Sequence, residues 1–405
     1  MKLVLWIVLL LVGFVAEAQE QQDAALQELV SQHTHRLVLD RNALDGPGAT
    51  FLREQLGDTH FFLIGEEHAT GDLARLAMSL WNEAHDRGYE YLAIEVGPYG
   101  TERIEALLRS PGRDALRAFQ LHEDNLLTFP FVFYAEEAEL LKAVVHDSRD
   151  KEHALWGLDQ EFIAGGRVVL EQLAALAETD AQRSAVAVAQ EQAAAELMWL
   201  GMSPAETFIP LTEAFSGNAA GEKIVEAIVL SNGVYAPFTG RGGSSYTAND
   251  IREGYMKENF LHSYKSALQR NGEKPRVVLK FGANHLVRGH SQTNVLTLGT
   301  FVQDFALVED VKIFSVHLDC QGGLTRDPRS GETDECSSYF LGESSDLAAL
   351  LPDEQMVILD LRSLRPHMKK FKDWDERSRQ LVLAYDAVIA VRDVAPASVV
   401  GQENN

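Results

Sequence analysis

The sequence predicts an α/β protein: a three-layer domain with a mainly parallel sheet and a large helical insertion. Short apolar runs typical of buried parallel strands recur between residues 60 and 392, and helical segments alternate with them. The block 165–271 contains no convincing strand and is rich in residues that favour helices. Hydrophobic residues make up 46 % of the chain, which is enough for a substantial core. We therefore expect one α/β body with an insertion.

The first eighteen residues have the pattern of a secretory signal peptide. Lys2 precedes an apolar stretch, residues 3–15, and Ala16-Glu17-Ala18 then offers small residues for cleavage before Gln19. The apolar stretch is too short to span a bilayer comfortably, and an uncleaved anchor is the alternative interpretation. We expect an exported protein, periplasmic or extracellular, that is cleaved near Ala18 and leaves residues 19–405 as a single α/β domain.

The elements before the insertion alternate as a parallel sheet requires. Residues 20–50 are predicted to be helical and then irregular, with a break at Gly46-Pro47-Gly48. A buried strand at 61–64 precedes an amphipathic helix at 72–87, for which Asp72 is the expected N-cap. A strand, a helix and a third strand are then expected at 89–95, 136–145 and 154–158.

The insertion is expected to lie over the carboxyl edge of the sheet, where a lid or a substrate wall would form. Its predicted helices cover residues 174–200, 204–215, 220–230 and 250–269. Beyond it, further strands are predicted at 277–279, 311–317, 356–361 and 387–391.

Four short polar segments come at the ends of predicted strands. They supply two histidines and three carboxylates, which are His68, His285, Glu66, Glu95 and Asp159. The carboxyl ends of strands in open α/β sheets form ligand crevices, so we expect these side chains to lie together. Buried imidazole and carboxylate groups shift one another's pKa values, as functional sites often require. The sequence therefore predicts a polar site at this edge.

These residue types suit two kinds of chemistry. A neutral imidazole can take a proton from water while a carboxylate orients the ring, which is general acid–base hydrolysis. Imidazole and carboxylate are also ordinary ligands of divalent metals. The chain has no G-x-S-x-G, H-E-x-x-H or G-x-G-x-x-G motif, so the enzymes that depend on those motifs are not indicated. The residues alone leave hydrolysis and metal binding open.

Charge narrows the range of partners. The formal net charge is -24, and removing residues 1–18 leaves it unchanged because Lys2 and Glu17 are lost together. Such acidity disfavours nucleic acid and anionic membranes, because phosphate binding needs a basic footprint. After residue 18 no apolar run is long enough for stable membrane insertion, so the expected partner is a small-molecule substrate. The oligomeric state does not follow from the sequence.

The only two cysteines, Cys320 and Cys336, lie late in the chain. In an exported protein they are expected to form one structural disulfide that closes the polar loop 321–335.

The joint order of the motifs resembles a known group. Gly65-Glu66-x-His68, Glu95, Gly157-Leu158-Asp159, Arg252-x-x-x-Met256-x-x-Asn259 and Asn284-His285 look like the erythromycin esterase-like family, over roughly residues 55–395. That family shares a broader clan with haem-binding ChaN-like proteins and Tiki/TraB-type proteins. One residue separates Glu66 from His68, which is closer to the ChaN-like and Tiki branches, associated with haem or metal binding. The Arg252 helix and the long insertion are closer to the esterase branch.

The resemblance implies an enzyme, a hydrolase of an ester, lactone or related acyl bond, with no required cofactor. His68 would be the general base, Glu66 would fix its tautomer, and His285 would polarise the carbonyl or assist the leaving group. Arg252 would stabilise the oxyanion, with Glu95 and Asp159 holding it and the imidazoles in position.

Four further residues are assigned to substrate binding. They are Asn284, which we expect chiefly to orient His285, and Asn259, His122 and Tyr134. The alternatives are a haem- or metal-binding protein and a metal-dependent peptidase, with His68, His285, Glu66 and Glu95 as the metal ligands.

Overall fold

The computed structural model describes residues 24–111, 114–122 and 125–402. The predicted signal peptide and its cleavage point therefore lie outside the described residues. No described helix is long and apolar enough to cross a membrane.

The centre of the molecule is a mixed sheet of nine strands, in the order β1-β10-β11-β8-β4-β7-β5-β6 with β9 attached to β8. The six strands from β11 to β6 are parallel, whereas β1 and β10 form an antiparallel edge. A separate hairpin joins β2 and β3. The strands are β1 Thr34–Arg36, β2 Val38–Asp40, β3 Ala43–Asp45, β4 Phe61–Glu66, β5 Tyr91–Ile94, β6 Leu155–Gly157, β7 Val277–Gly282, β8 Ile313–Arg326, β9 Thr333–Glu335, β10 Met356–Asp360 and β11 Ala387–Val394.

Helices cover both faces of this sheet. The α-helices, after a helical stretch at 24–32, are α1 Pro47–Asp58, α2 Gly71–His85, α3 Pro98–Arg109, α4 Ala115–Gln120, α5 Ala135–Asp147, α6 Gly166–Ala175, α7 Asp180–Ala195, α8 Trp199–Met202, α9 Ile209–Phe215, α10 Ala219–Tyr235, α11 Ser245–Asn271, α12 Ala283–Leu286, α13 Leu298–Val308 and α14 Glu376–Ala384. Short 3-10 helices lie at Ala205–Phe208, Ala236–Thr239, Ala348–Leu350, Leu361–Ser363 and Arg365–Phe371.

Strand β4 shows how the sequence builds three layers. All six of its residues are buried, and its first four, residues 61–64, form a continuous apolar run. Alternate side chains point to opposite faces: Phe62 and Ile64 join one hydrophobic core, and Phe61 and Leu63 join the other. The predicted three-layer α/β class with a mainly parallel sheet is confirmed.

The insertion is helical, as predicted, and has two parts. Its earlier helices enclose a core of their own that includes Val169, Phe208 and Ile228. Its last helix, α11, instead buries Met256 and Phe260 in the core of the main sheet. This second contact brings α11 against the body of the domain and places its first turns beside the strand ends.

Two local expectations were wrong. The segment after residue 33, expected to be irregular, forms β1 to β3, because backbone pairing with β10 stabilises a strand whose side chains give little apolar signal. Helix α2 starts earlier than predicted, so its N-cap is Thr70 and Asp72 lies in the first turn. The Asp72 carboxylate pairs with Arg75 and accepts the Ala395 backbone N–H.

A disulfide joins Cys320 to Cys336, as predicted from the sequence. It joins the middle of β8, where the buried part of that strand stops, to the residue that follows β9. Arg326 is the last residue of β8, and its backbone carbonyl oxygen accepts a hydrogen bond from the Tyr134 hydroxyl.

Candidate active site

Four parallel strands deliver the predicted residues to one edge of the sheet. Glu66 is the last residue of β4, Glu95 follows β5, Asp159 lies just beyond β6, and His285 lies in the short helix after β7. Because β4, β7, β5 and β6 are neighbours in that part of the sheet, these side chains meet.

The Glu95 carboxylate is the centre of the group. Its Oε1 accepts Nη2 of Arg252 at 2.8 Å and lies 3.3 Å from Nε2 of His285. Its Oε2 accepts the Gly282 backbone N–H at 2.8 Å and lies 3.5 Å from Nε2 of His68. One carboxylate therefore contacts both imidazoles, a guanidinium and a backbone amide.

His68 lies at the mouth of the site, with 30 % of its side chain exposed. Its Nδ1 is 3.1 Å from Oε1 of Glu66. The Phe131 ring stacks on it, with centroids 4.1 Å apart and planes 22° from parallel. Phe131 has φ 62°, a conformation that is unusual for a bulky residue and is found mainly where structure or function imposes it.

His285 is more deeply buried, with 9 % of its side chain exposed. Its Nδ1 lies 2.6 Å from Oε1 of Glu253, on α11. The other oxygen of Glu253 accepts the backbone N–H of Leu298 at the start of α13. Glu253 thus orients the ring so that Nε2 faces Glu95.

Arg252 links the insertion to the sheet. Its Nε donates to Oδ1 of Asp159 at 2.9 Å and its Nη2 donates to Oδ2 at 2.5 Å, in addition to the bond with Glu95. Bidentate pairing of this kind gives geometric specificity as well as energy. Within the described chain, Nη1 of Arg252 makes no hydrogen bond and is the donor left for another group.

Beneath Glu66 lies a second ion pair. Nζ of Lys280, on β7, is 2.5 Å from Oε1 of Glu66 and 2.8 Å from Oε1 of Glu137 on α5. Burial and the nearby Glu66 raise the pKa of Glu137 despite Lys280.

The charges determine the protonation of both histidines. Burial alone would lower the pKa of His68, but its hydrogen bonds with Glu66 and Glu95 raise that pKa to about 10. Burial and Arg252 would lower the pKa of His285, but Glu95 and Glu253 raise it to about 9. Burial would raise the pKa of Glu95, yet the two imidazoles hold it well below its usual range. At neutral pH both rings are therefore cationic around an ionised Glu95.

A cavity of about 30 Å³ opens beside His68, which is room for about one or two water molecules. Its polar lining consists of Glu66, His68, Glu95, Glu137 and Lys280, and Phe131 forms part of the apolar wall. Oε2 of Glu66 is buried and has no hydrogen-bond partner among the described residues.

The residues predicted to bind substrate have other contacts. Asn284 does not orient His285, because its side-chain oxygen accepts the backbone N–H of Gln292 while Glu253 holds the ring. Asn259 donates to the Leu158 carbonyl oxygen at 2.8 Å.

The other two are placed away from the lining of this cavity. Tyr134 is buried and donates to a backbone carbonyl oxygen, and His122 is exposed in the turn after α4. Neither is among the residues that line the cavity beside His68.

Sequence reasoning missed four residues of the site. Glu253, Lys280 and Phe131 each contact a predicted residue, and Glu137 contacts Lys280. A lysine inside the apolar run 277–281 was a usable signal, because lysine is almost never buried unless it is paired. Glu253 stands next to Arg252 in the sequence, but nothing in the motif distinguishes it from a surface glutamate.

A metal ion would need donor atoms that are already engaged. Both nitrogens of His68 and of His285 face carboxylate oxygens, and Lys280 and Arg252 already balance those carboxylates. Within residues 24–111, 114–122 and 125–402, no group of three or more His, Cys, Asp or Glu side chains could hold a metal. Haem iron likewise needs a free imidazole nitrogen. The residues present do not fit either group.

Comparison with known proteins establishes the fold. No protein-family model and no curated protein sequence matches the chain. Among solved structures, a succinoglycan biosynthesis protein matches with a TM-score of 0.63 at 12 % identity, covering 93 % of this chain and 98 % of its own. A Bacillus cereus protein matches with a TM-score of 0.56 at 13 % identity, covering 86 % and 92 %.

A histidine-to-asparagine mutant of erythromycin esterase EreC, in its open conformation, also matches. Its TM-score is 0.56 at 14 % identity, with 88 % of this chain and 95 % of that chain covered. At these identities the likeness shows a shared fold, which agrees with the erythromycin esterase-like resemblance of the motifs.

We expect the histidines to make stability depend on pH. The folded-state pKa values of both histidines are raised above the ordinary 6.5. Their contribution to the free energy of unfolding is therefore fully present below pH 6.5, and it is lost as the pH rises through about 9 for His285 and about 10 for His68. Thermal unfolding of the wild type and of His285→Gln, measured from pH 6 to pH 10, checks this. The difference in Tm between the two proteins should shrink over that range, since other titrating groups are common to both. A constant difference would contradict the assignment.

Proposed function

We propose that this protein is an exported hydrolase that cleaves an ester, lactone or related acyl bond of a small molecule. The observation that supports it most is the partly exposed His68 held between Glu66 and Glu95 at the carboxyl edge of the sheet. An imidazole braced by carboxylates beside a water-sized cavity has the parts that general acid–base hydrolysis needs.

In the proposed reaction, which starts from the fraction of the protein in which the His68 ring is neutral, a water molecule attacks the acyl carbonyl carbon and its proton passes to Nε2 of His68. Glu66 accepts Nδ1–H of the same ring and stabilises the imidazolium that forms. The oxygen of the carbonyl becomes an oxyanion, and when the tetrahedral intermediate collapses the leaving oxygen takes the proton. The products are an acid and an alcohol, and His68 returns to its starting state.

The cationic groups have separate roles in this proposal. Arg252 is held by Asp159 and Glu95. We assign its Nη1, which makes no hydrogen bond within the described residues, to stabilise the oxyanion. His285 is too enclosed to be assigned a substrate contact here. We instead assign it to hold Glu95 ionised and oriented toward His68.

The fold neighbour named as an erythromycin esterase supports an acyl substrate, although 14 % identity shows only the fold. Export is supported by the disulfide, because such bonds persist in oxidising compartments. The haem, metal and peptidase alternatives would need nitrogens of His68 or His285 as ligands. The proposed hydrolysis needs only Nε2 of His68, whose 3.5 Å distance from Glu95 is the longest of the four imidazole–carboxylate distances.

The first test combines metal analysis, an absorbance spectrum and a panel of esters and lactones, with and without chelator. We expect hydrolysis of at least one acyl substrate, no loss of activity on chelation and no haem absorbance band.

His68→Ala should reduce kcat/KM by at least about a hundredfold, because the substitution removes the general base. His146→Ala is the control, since His146 is 70 % exposed on α5. An active His68→Ala protein would remove His68 from the mechanism, and a haem band would favour the alternative.

The pH dependence of kcat/KM gives a second test. A general base must be neutral, and the raised pKa of His68 keeps it protonated at neutral pH, so the rate should rise with pH toward about 10. A rate that instead falls across pH 8–10 would show that the protonated ring is the active form, as a general acid.

The proposed export of the protein gives a third test. The protein recovered from its host should begin at Gln19, and titration of the native protein should find no free thiol, because both cysteines are in the disulfide. An N-terminus at Met1 would contradict cleavage.

A further inference from the structure

Lys280 is a charged residue inside a fully buried parallel strand. All six residues of β7 are buried, and 7 % of the Lys280 side chain is exposed. Its neighbours along the strand are Leu279 and Phe281, which belong to the core on the other face. Such a position normally carries an apolar residue, so the presence of a buried ammonium group there requires an explanation.

The contacts of Lys280 lead to His68 through one intermediate. Nζ lies 2.5 Å from Oε1 of Glu66, and 2.8 and 2.9 Å from the two oxygens of Glu137. The same Oε1 of Glu66 faces Nδ1 of His68 at 3.1 Å. Lys280 and His68 therefore both contact Oε1 of Glu66, whereas neither contacts Oε2.

The other oxygen of Glu66 shows what Lys280 does. Oε2 is buried and has no partner among the described residues, so no other described group decides which carboxylate oxygen faces the ring. Leaving a buried acceptor unpaired is unfavourable, and the carboxylate would turn or take up water if nothing held it. The ammonium is the group that holds it.

We propose that Lys280 is a positioning residue for the reaction proposed above, with Glu137 as its counter-ion. It fixes Glu66 so that Glu66 keeps the Nδ1–H of His68 and Nε2 stays beside Glu95, which also lines the cavity. This inference rests on the proposed function for its kinetic consequence only. The hydrogen bond between His68 and Glu66 can be measured whether or not a substrate is known.

A purely structural lysine would behave differently from a positioning lysine. Removing one member of a buried ion pair leaves an uncompensated charge and destabilises the fold, whereas replacing both members by apolar side chains of similar size often restores stability. Stability and catalysis can therefore be separated by comparing Lys280→Met with the double variant Lys280→Met/Glu137→Met.

In the single variant we expect Tm to fall by about 5 °C or more. In the double variant we expect Tm to recover part of that loss, because Glu137 is gone and Glu66 is left with His68 as its partner. In both variants kcat should stay at least about tenfold low while KM changes by less than about twofold, because the oriented base is lost and the substrate contacts are not. Lys151→Met is the matched control. Its lysine is 17 % exposed, pairs with Glu90 at 2.8 Å and lies at the opposite ends of the strands, so kcat should not change.

The second readout is the Nδ1–H proton of His68, observed by NMR as a slowly exchanging downfield resonance that is absent from His68→Gln. We expect it in the wild type and in Lys151→Met, and we expect its loss or fast exchange in both Lys280 variants. Recovery of kcat together with Tm in the double variant, or a persisting resonance, would overturn the proposal. If the wild type hydrolyses no acyl substrate, the proposed function fails while the NMR comparison still decides the role of Lys280.

Discussion

Glu95 is the carboxylate on which the arrangement of the site depends. It directly follows β5, and its two oxygens contact two imidazoles, one guanidinium and the Gly282 backbone amide. Each of these partners comes from a different element, so the carboxylate fixes the relative positions of β5, β7, α11 and the loop after β4. The close contact between strands also explains a small residue at 282, since a Cβ there would lie 2.5 Å from Nε2 of His68. The contact with Glu95 and the absence of a side chain at Gly282 thus both allow His68 its position beside the carboxylate.

Concentrating charge in this way costs stability. Five carboxyl groups face four cationic groups inside or at the edge of the core, namely Glu66, Glu95, Glu137, Asp159 and Glu253 against His68, Arg252, Lys280 and His285. Desolvating such groups is repaid only when geometry and hydrogen bonding are good, and apolar side chains would often serve stability better. Burial also raises the pKa of Glu137, the second carboxylate beside Lys280. An arrangement of this cost, open to solvent at His68, is more readily explained by chemistry than by folding.

The sequence predicted the parts of the fold that depend on periodicity and strand composition. The apolar runs before Glu66 and His285 and the strand-free insertion were recognisable because burial on both faces leaves a continuous signal. The edge strand β1 was not, because its pairing with β10 is a backbone interaction between distant segments. The same limit applies to the site. Residues that directly follow strands were found, whereas Glu253, Glu137 and Phe131 reach it from helices and a loop whose docking no local pattern encodes.

Access to the site is constrained by the same contacts. The insertion was expected to form a lid or a substrate wall. Arg252 and Glu253 on α11 bind Asp159, Glu95 and His285, so lifting this helix would break the charge network itself. The cavity of about 30 Å³ beside His68 is far smaller than the several hundred Å³ of a typical small-molecule site. A substrate must therefore bind at the open mouth or displace the wall that closes it. Phe131 forms part of that wall: it covers one face of His68 and holds a backbone conformation that is unfavourable for a bulky residue.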